Sequence, residues 1–156
     1  MRIRTLYLIV AGAVALVGCA HATATEPADP GVQWGPAPAV FPAGAQMAVM
    51  GGDPTRAGQE FTVRLRLPDG YKIAPHTHPT DENVTVLQGT FSVGMGTTFD
   101  PQAMQALPVG GFVTAPALHP HYAQARGSTI VQVSAIGPFA LTYVNPADNP
   151  ATSASR

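Results

Sequence analysis

The chain has 156 residues, which suits one domain, with 46% apolar residues, 11% charged residues and a formal net charge of −1. The apolar content excludes bulk disorder. A single lysine and no basic run exclude nucleic acid as an expected partner. Sixteen glycines and sixteen prolines punctuate short apolar runs, which suits a β protein with many turns.

Arg2 and Arg4 precede a nearly all-apolar stretch from Leu6 to Val17. That stretch is shorter than the roughly 20 residues a spanning helix needs, so residues 1–18 read as a signal peptide. It ends in Leu16-Val17-Gly18-Cys19. This run resembles the lipobox of bacterial lipoproteins, and the resemblance implies that Cys19 takes a diacylglyceryl group and becomes the first mature residue. It also implies an envelope protein, with Ala20 permitting sorting to the outer membrane. The other reading is an ordinary secretory peptide cut near Ala20-His21-Ala22. Both send the protein out of the cytosol to the periplasm. Cys19 is the only cysteine, so no intramolecular disulfide forms and the fold must rest on its core. Residues 19–39, rich in Ala, Thr and Pro, read as a flexible tether, and 146–156 as a flexible tail. Residues 40–145 are the expected globular domain.

Within that domain Phe61, Val63, Leu65 and Leu67 alternate with Thr62, Arg64 and Arg66, the period of a half-buried strand. Pro68-Asp69-Gly70 ends it in a turn. Strands are expected at Tyr71–Ala74 and Asn83–Gln88, with Thr90–Gly94 returning after Gly89. Further strands are expected at Phe112–Ala115, Tyr122–Ala125, Thr129–Ala135 and Phe139–Val144. Pro101–Leu107 reads as a helical turn. Short apolar strands at close spacing point to a sandwich or barrel. Gly94-Met95-Gly96 lacks the strand–helix context of a phosphate loop.

Four of the five histidines form two His-x-His pairs, His76-Thr77-His78 and His119-Pro120-His121. Two residues apart on a strand means one face, so a pair of imidazoles can converge on one ion. Glu82 can join them if Pro79-Thr80-Asp81 reverses the chain. Neutral imidazole with carboxylate suits a divalent transition metal: Fe, Mn, Ni, Cu or Zn. Asp81 would point the other way, as a solvated turn residue. Tyr122 reads as a packed aromatic, and Met95 and Met104 as fillers rather than thioether ligands.

Gly70, five residues, His76-Thr77-His78, three residues, Glu82, six residues and Gly89 match the first motif of the cupin superfamily at every position. The second motif is matched in part: Gly110, Pro116 and His121 fall in place, while Leu118 stands where the motif has Gly and Ala125 where it has Asn. The chain therefore resembles a single-domain cupin over about residues 45–144. The resemblance implies an all-β fold, the double-stranded β-helix or jelly-roll barrel, with a metal held by His76, His78, Glu82 and His121. A glycine in such a turn often serves a positive φ, which Leu118 would adopt at a cost. The loop could then run differently, which leaves His119 as a rival to His121; the spacing selects His121.

Cupins of this metal type include dioxygenases, decarboxylases and isomerases, so the resemblance implies a small metal-dependent enzyme acting on a small molecule, with O₂-linked oxidation the leading subtype. The alternatives are a non-catalytic periplasmic metal- or ligand-binding sensor, or a structural envelope protein. The expected interior lining, Val84, Val86, Phe91, Val93 and Ala123, is apolar and favours a neutral ligand. Arg64 and Arg66 face away from it, while Lys72 and Arg126 are candidates for the barrel mouth. The expected partners are a small molecule, the membrane through lipidated Cys19 and, by the family resemblance, a second copy in a homodimer.

Overall fold

The computed structural model describes residues 31–153. The signal peptide, Cys19 and the first part of the tether lie outside the described residues. The alternation read at Phe61–Leu67 folds as expected. Phe61, Val63, Leu65 and Leu67 are buried, while Thr62, Arg64 and Arg66 are half-buried on the outer face. Each such buried aliphatic side chain stabilises the fold by roughly 1.5–3 kcal/mol.

Nine strands form the sheet among the described residues: β1 Gly35–Pro36, β2 Gln46–Gly52, β3 Glu60–Leu67, β4 Lys72–Thr77, β5 Glu82–Met95, β6 Gln105–Leu107, β7 Phe112–Ala115, β8 His121–Ile136 and β9 Thr142–Tyr143. All pairings are antiparallel. The sheet runs β1-β2-β3-β8-β4-β9, and β5 pairs with β6, β7 and β8. The sheet curls into an all-β jelly-roll barrel, with its core cluster inside.

Several elements differ from the sequence expectation. No hairpin forms at Gly89. β5 runs unbroken from Glu82 to Met95, and Gly89, at φ +71°, sits in a bulge between Gln88 and Thr90. Tyr122–Ala125 and Thr129–Ala135 are likewise one strand, β8, with Gly127 at φ +69°. The antiparallel β5–β8 ribbon pairs Glu82 with Ala135 at one end and Met95 with His121 at the other. A flat ribbon of that length would hold its ends about 40 Å apart. Glu82 Oε2 nevertheless lies 3.6 Å from His121 Nε2. The bulges are where the ribbon folds back on itself, since a bulge bends its strand and sharpens the twist.

Pro101–Leu107 is a short 3₁₀ turn over Pro101–Ala103 followed by β6, not a helical turn throughout. Phe139–Val144 contributes only the two residues of β9. The sequence showed no strand at 35–36 or 46–52. β1 lies within the segment read as tether: Gly35 pairs with Met47, Ala37 packs on the core and the Arg66 guanidinium lies 4.2 Å from the Trp34 ring centroid. The tail holds a 3₁₀ turn at Pro146–Asp148 and one helical turn at Pro150–Ser153.

Candidate metal centre

Three strands and one loop bring the candidate ligands together. His76 lies in β4, opposite His121 at the start of β8. His78 follows β4, and Glu82 opens β5. All four are buried. The ligand-capable atoms of His76, His78 and His121 lie within 4.8 Å of one another. Their ring centroids are 4.3 to 5.2 Å apart. Glu82 Oε2 lies 3.5 Å from His78 Nε2 and 3.6 Å from His121 Nε2.

Backbone carbonyls fix each ring. His76 Nδ1 is 2.7 Å from Ala74 O, His78 Nδ1 2.8 Å from Ala140 O, and His121 Nδ1 3.2 Å from His119 O. A carbonyl oxygen only accepts, so each Nδ1 carries a proton and Nε2 is the nitrogen left to offer a lone pair. The Nε2 atoms of His78 and His121 are buried and make no hydrogen bond. Lone pairs aimed at a carboxylate in an apolar cavity repel unless a cation lies among them. The donor set therefore fits a divalent transition metal, and the carbonyls are the orienting partners that metal-binding histidines need.

Burial, followed by the neighbouring imidazoles of His121 and His78, lowers the His76 pKa to about 3. Burial alone would raise the Glu82 carboxyl; the neighbouring imidazoles, cationic whenever they take a second proton, outweigh it and hold it below its ordinary value.

The second histidine pair separates cleanly. His119 is exposed and offers its backbone carbonyl, not its ring, to the site. Leu118 adopts φ +59°. It is the third residue of a turn closed by the His119 N–H on Pro116 O at 3.1 Å, a type II pattern that favours Gly at this point. The loop tolerates the leucine because it is held from both sides. Leu118 N–H donates to His78 O at 2.9 Å, and Ala117 N–H donates to the Asp81 carboxylate at 2.7 Å. Asp81 is exposed, as expected, but ties one motif's loop to the other's.

A cavity of about 20 Å³ lies against the histidines. Its ionisable lining residues are His76, His78, Glu82 and His121; the rest is apolar. Val84, Phe91, Val93 and Ala123 line it as expected, whereas Val86 is buried in the core and does not line it. Lys72 and Arg126 do not line it and are exposed, with Lys72 Nζ 5.5 Å from the Phe99 ring centroid. Tyr122 is packed, its hydroxyl donating to Asp100 O at 3.2 Å. Met95 and Met104 lie away from the cavity. The expected lining left out Phe41 and Leu141 from outside the strands, the strand residues Leu65, Ile73, Val113, Ala115, Val131 and Val133, and the three orienting carbonyls. Backbone carbonyls leave no trace in residue identity; Phe41 left only an isolated aromatic between prolines.

No protein-family model and no curated protein matches this sequence. Solved structures do. A Methylibium petroleiphilum PM1 protein provisionally assigned as an acetylacetone dioxygenase is 21% identical, with 76% of this chain and 79% of that one covered at a TM-score of 0.57. A cupin 2 conserved barrel domain protein from Rhodopseudomonas palustris is 16% identical, covering 76% and 81% at 0.57. The DMSP lyase DddQ from Ruegeria pomeroyi DSS-3 is 19% identical, covering 74% of this chain and 62% of that one, also at 0.57. At these identities the likeness shows the fold: the described domain is a cupin barrel.

Proposed function

We propose that this chain is an exported metal-binding cupin that holds one divalent transition metal through His76, His78, Glu82 and His121 and uses it on a small neutral molecule. The observation that carries the reading is the set of imidazoles locked by backbone carbonyls so that Nε2 lone pairs meet one carboxylate inside an apolar cavity. A bound metal would supply Lewis acidity and open coordination positions. The protein's own residues orient the rings, offset the ion's charge through Glu82 and exclude water through apolar walls. Among the described residues no Lys or Arg lines the cavity to receive an anion, which supports a neutral substrate. O₂-linked oxidation of a small organic molecule is the leading chemistry, and the likeness to a provisionally assigned dioxygenase supports it.

A non-catalytic metal-binding role is favoured by one observation. The cavity's 20 Å³ exceeds only slightly the roughly 10–15 Å³ that one water requires. Oxygen consumption by iron-loaded protein across a panel of small neutral compounds decides between the two; no uptake with any compound favours the binder.

Metal titration tests the ligand set. His76→Ala, His78→Ala, Glu82→Ala and His121→Ala should each weaken metal binding by about 10- to 100-fold or more, and His119→Ala should change it little. Loss of metal in His119→Ala with retention in His121→Ala would reverse the assignment. Export and anchoring rest on Leu16-Val17-Gly18-Cys19. Mass spectrometry of the mature N-terminus should find an acylated Cys19, with the protein in the membrane fraction. An unmodified chain beginning beyond Cys19 would show ordinary secretion.

A further inference from the structure

The cavity's apolar walls are strand side chains with two exceptions. Phe41 comes from the segment between β1 and β2, and Leu141 from the segment between β8 and β9. Only these two walls can move without breaking barrel pairing, so any molecule larger than the cavity must pass one of them.

The two are not equivalent. The segment bearing Leu141 is built into the site: Ala140 O holds His78 Nδ1 at 2.8 Å, and the Phe139 ring stacks on His78 at 5.8 Å and 15°. It is also pinned from behind, with Gly137 N–H on Gln59 O at 2.8 Å and Phe139 N–H on Pro54 O at 2.7 Å. Moving it would release a metal ligand. The segment bearing Phe41 makes no hydrogen bond to a candidate ligand. It is closed on itself by Ala37 N–H to Ala45 O at 3.1 Å and Phe41 N–H to Pro38 O at 2.9 Å. Two phenol hydroxyls tie it to the barrel: Tyr71 donates to Pro42 O, and Tyr143 donates to Val40 O at 2.8 Å. Apolar packing holds it otherwise, with the Phe41 ring 5.9 Å from that of Phe139, so it can move as a unit on losing two hydrogen bonds and that packing while the hydrogen bonds on the imidazoles stay intact.

We propose that small molecules reach the three histidines through the end of the barrel covered by residues 37–45, and that Phe41 sets the size of molecule the site admits. The size limit rests on the proposed metal site; the route does not. With Phe41 in place the cavity takes a water-sized or diatomic neutral ligand such as O₂. A larger neutral ligand fits only when Phe41 is displaced or shortened.

The route is tested on metal-free full chain with diethylpyrocarbonate, which carbethoxylates accessible imidazoles, read residue by residue by mass spectrometry with exposed His119 as the internal reference. Phe41→Ala should speed modification of His76, His78 and His121 by about tenfold or more relative to His119, because local opening controls access to buried groups. Tyr71→Phe removes one tie and no core volume; it should speed modification in the same direction and guards against a folding defect in Phe41→Ala. Leu141→Ala should have the smaller effect. Wild-type rates in both Phe41→Ala and Tyr71→Phe, or an equal acceleration in Leu141→Ala, would overturn the route. The size limit is read from the cobalt-loaded protein's visible spectrum: Phe41→Ala should bind imidazole about tenfold more tightly than wild type, while nitric oxide, a neutral diatomic, binds both alike. Equal imidazole affinities would overturn it. A chain that takes up no cobalt but follows the modification pattern would fail the metal reading and leave the route standing.

Discussion

At Leu118 the backbone takes φ +59°, a region where an L-residue loses roughly 1–2 kcal/mol to the clash between its Cβ and the carbonyl. Its side chain is 72% exposed and returns little of that by burial. Glycine would relieve the clash at an entropic cost of about 0.5–1 kcal/mol. Leu118→Gly is therefore expected to stabilise the protein by up to about 1 kcal/mol, a rise of a few degrees in Tm, with metal affinity unchanged. Leu118→Ala keeps the strain and should show no gain; a gain in Ala equal to that in Gly would mean that the exposed side chain, not φ, was the cost. The departure from the motif that left two histidines in contention thus changes local strain and not the loop's path. The clustering of the candidate ligands was legible because imidazole and carboxylate are rare in this chain and their spacing is rigid on strands. The site's tuning was not legible. The carbonyls of Ala74, Ala140 and His119 decide the tautomer, and a backbone carbonyl is carried by every residue type.

The β5–β8 ribbon cannot be read one element at a time. Gly89 reads as a hairpin turn because a glycine between two apolar runs is a turn signal, and the same residue serves a bulge equally well. Which applies depends on the partner strand, about 40 residues away, which no local window sees. The bulge lets the ribbon fold back so that Glu82 at its start meets His121 at its far end. A Cβ at Gly89 would lie 2.6 Å from both Ser128 O and Thr129 Oγ1, and φ is +71°. Neither contact is a flexible chain end: one is backbone, and Thr129 is fully buried with its hydroxyl bonded to Gly127 O at 3.1 Å. Gly89→Ala should cost about 2–4 kcal/mol from combined clash and strain. It should also weaken metal binding without touching a ligand. Denaturant melts paired with metal titration check both, and a variant as stable as wild type would show that the ribbon turns elsewhere. Strand β3, by contrast, was legible in full, because one buried face imposes a period of two whatever its partners are.

For the molecule as a whole, the site links folding to metal and to pH. The proposed ligands come from β4, β5, β8 and the loop after β4, so they converge only in the folded state, and a metal held by them would bind that state in preference. At a free metal concentration 100 times Kd the stabilisation is about 2.7 kcal/mol. The metal-free protein has its own pH dependence. Below pH 6.5 the unfolded chain binds a proton at position 76 that the folded chain refuses until about pH 3. Folding stability should then fall by up to about 1.4 kcal/mol per pH unit between those values as pH drops, and level off above 6.5. The depressed Glu82 adds to the same trend in its lower part: its carboxylate is favoured by folding, and that contribution is lost as the group protonates. A metal held at the proposed site would compete with the same protons, so its binding should weaken over the same window. The expected outcome is a Tm gap between metal-loaded and chelated protein that is largest above pH 7 and closes below about pH 6, while the chelated protein's own Tm declines. A His76→Gln variant should lose the gap and flatten the chelated protein's decline, because position 76 then has no proton to exchange. A gap independent of pH would place the metal on groups other than these imidazoles. A chelated protein that grows more stable on acidification would contradict the burial of a neutral His76 in the core.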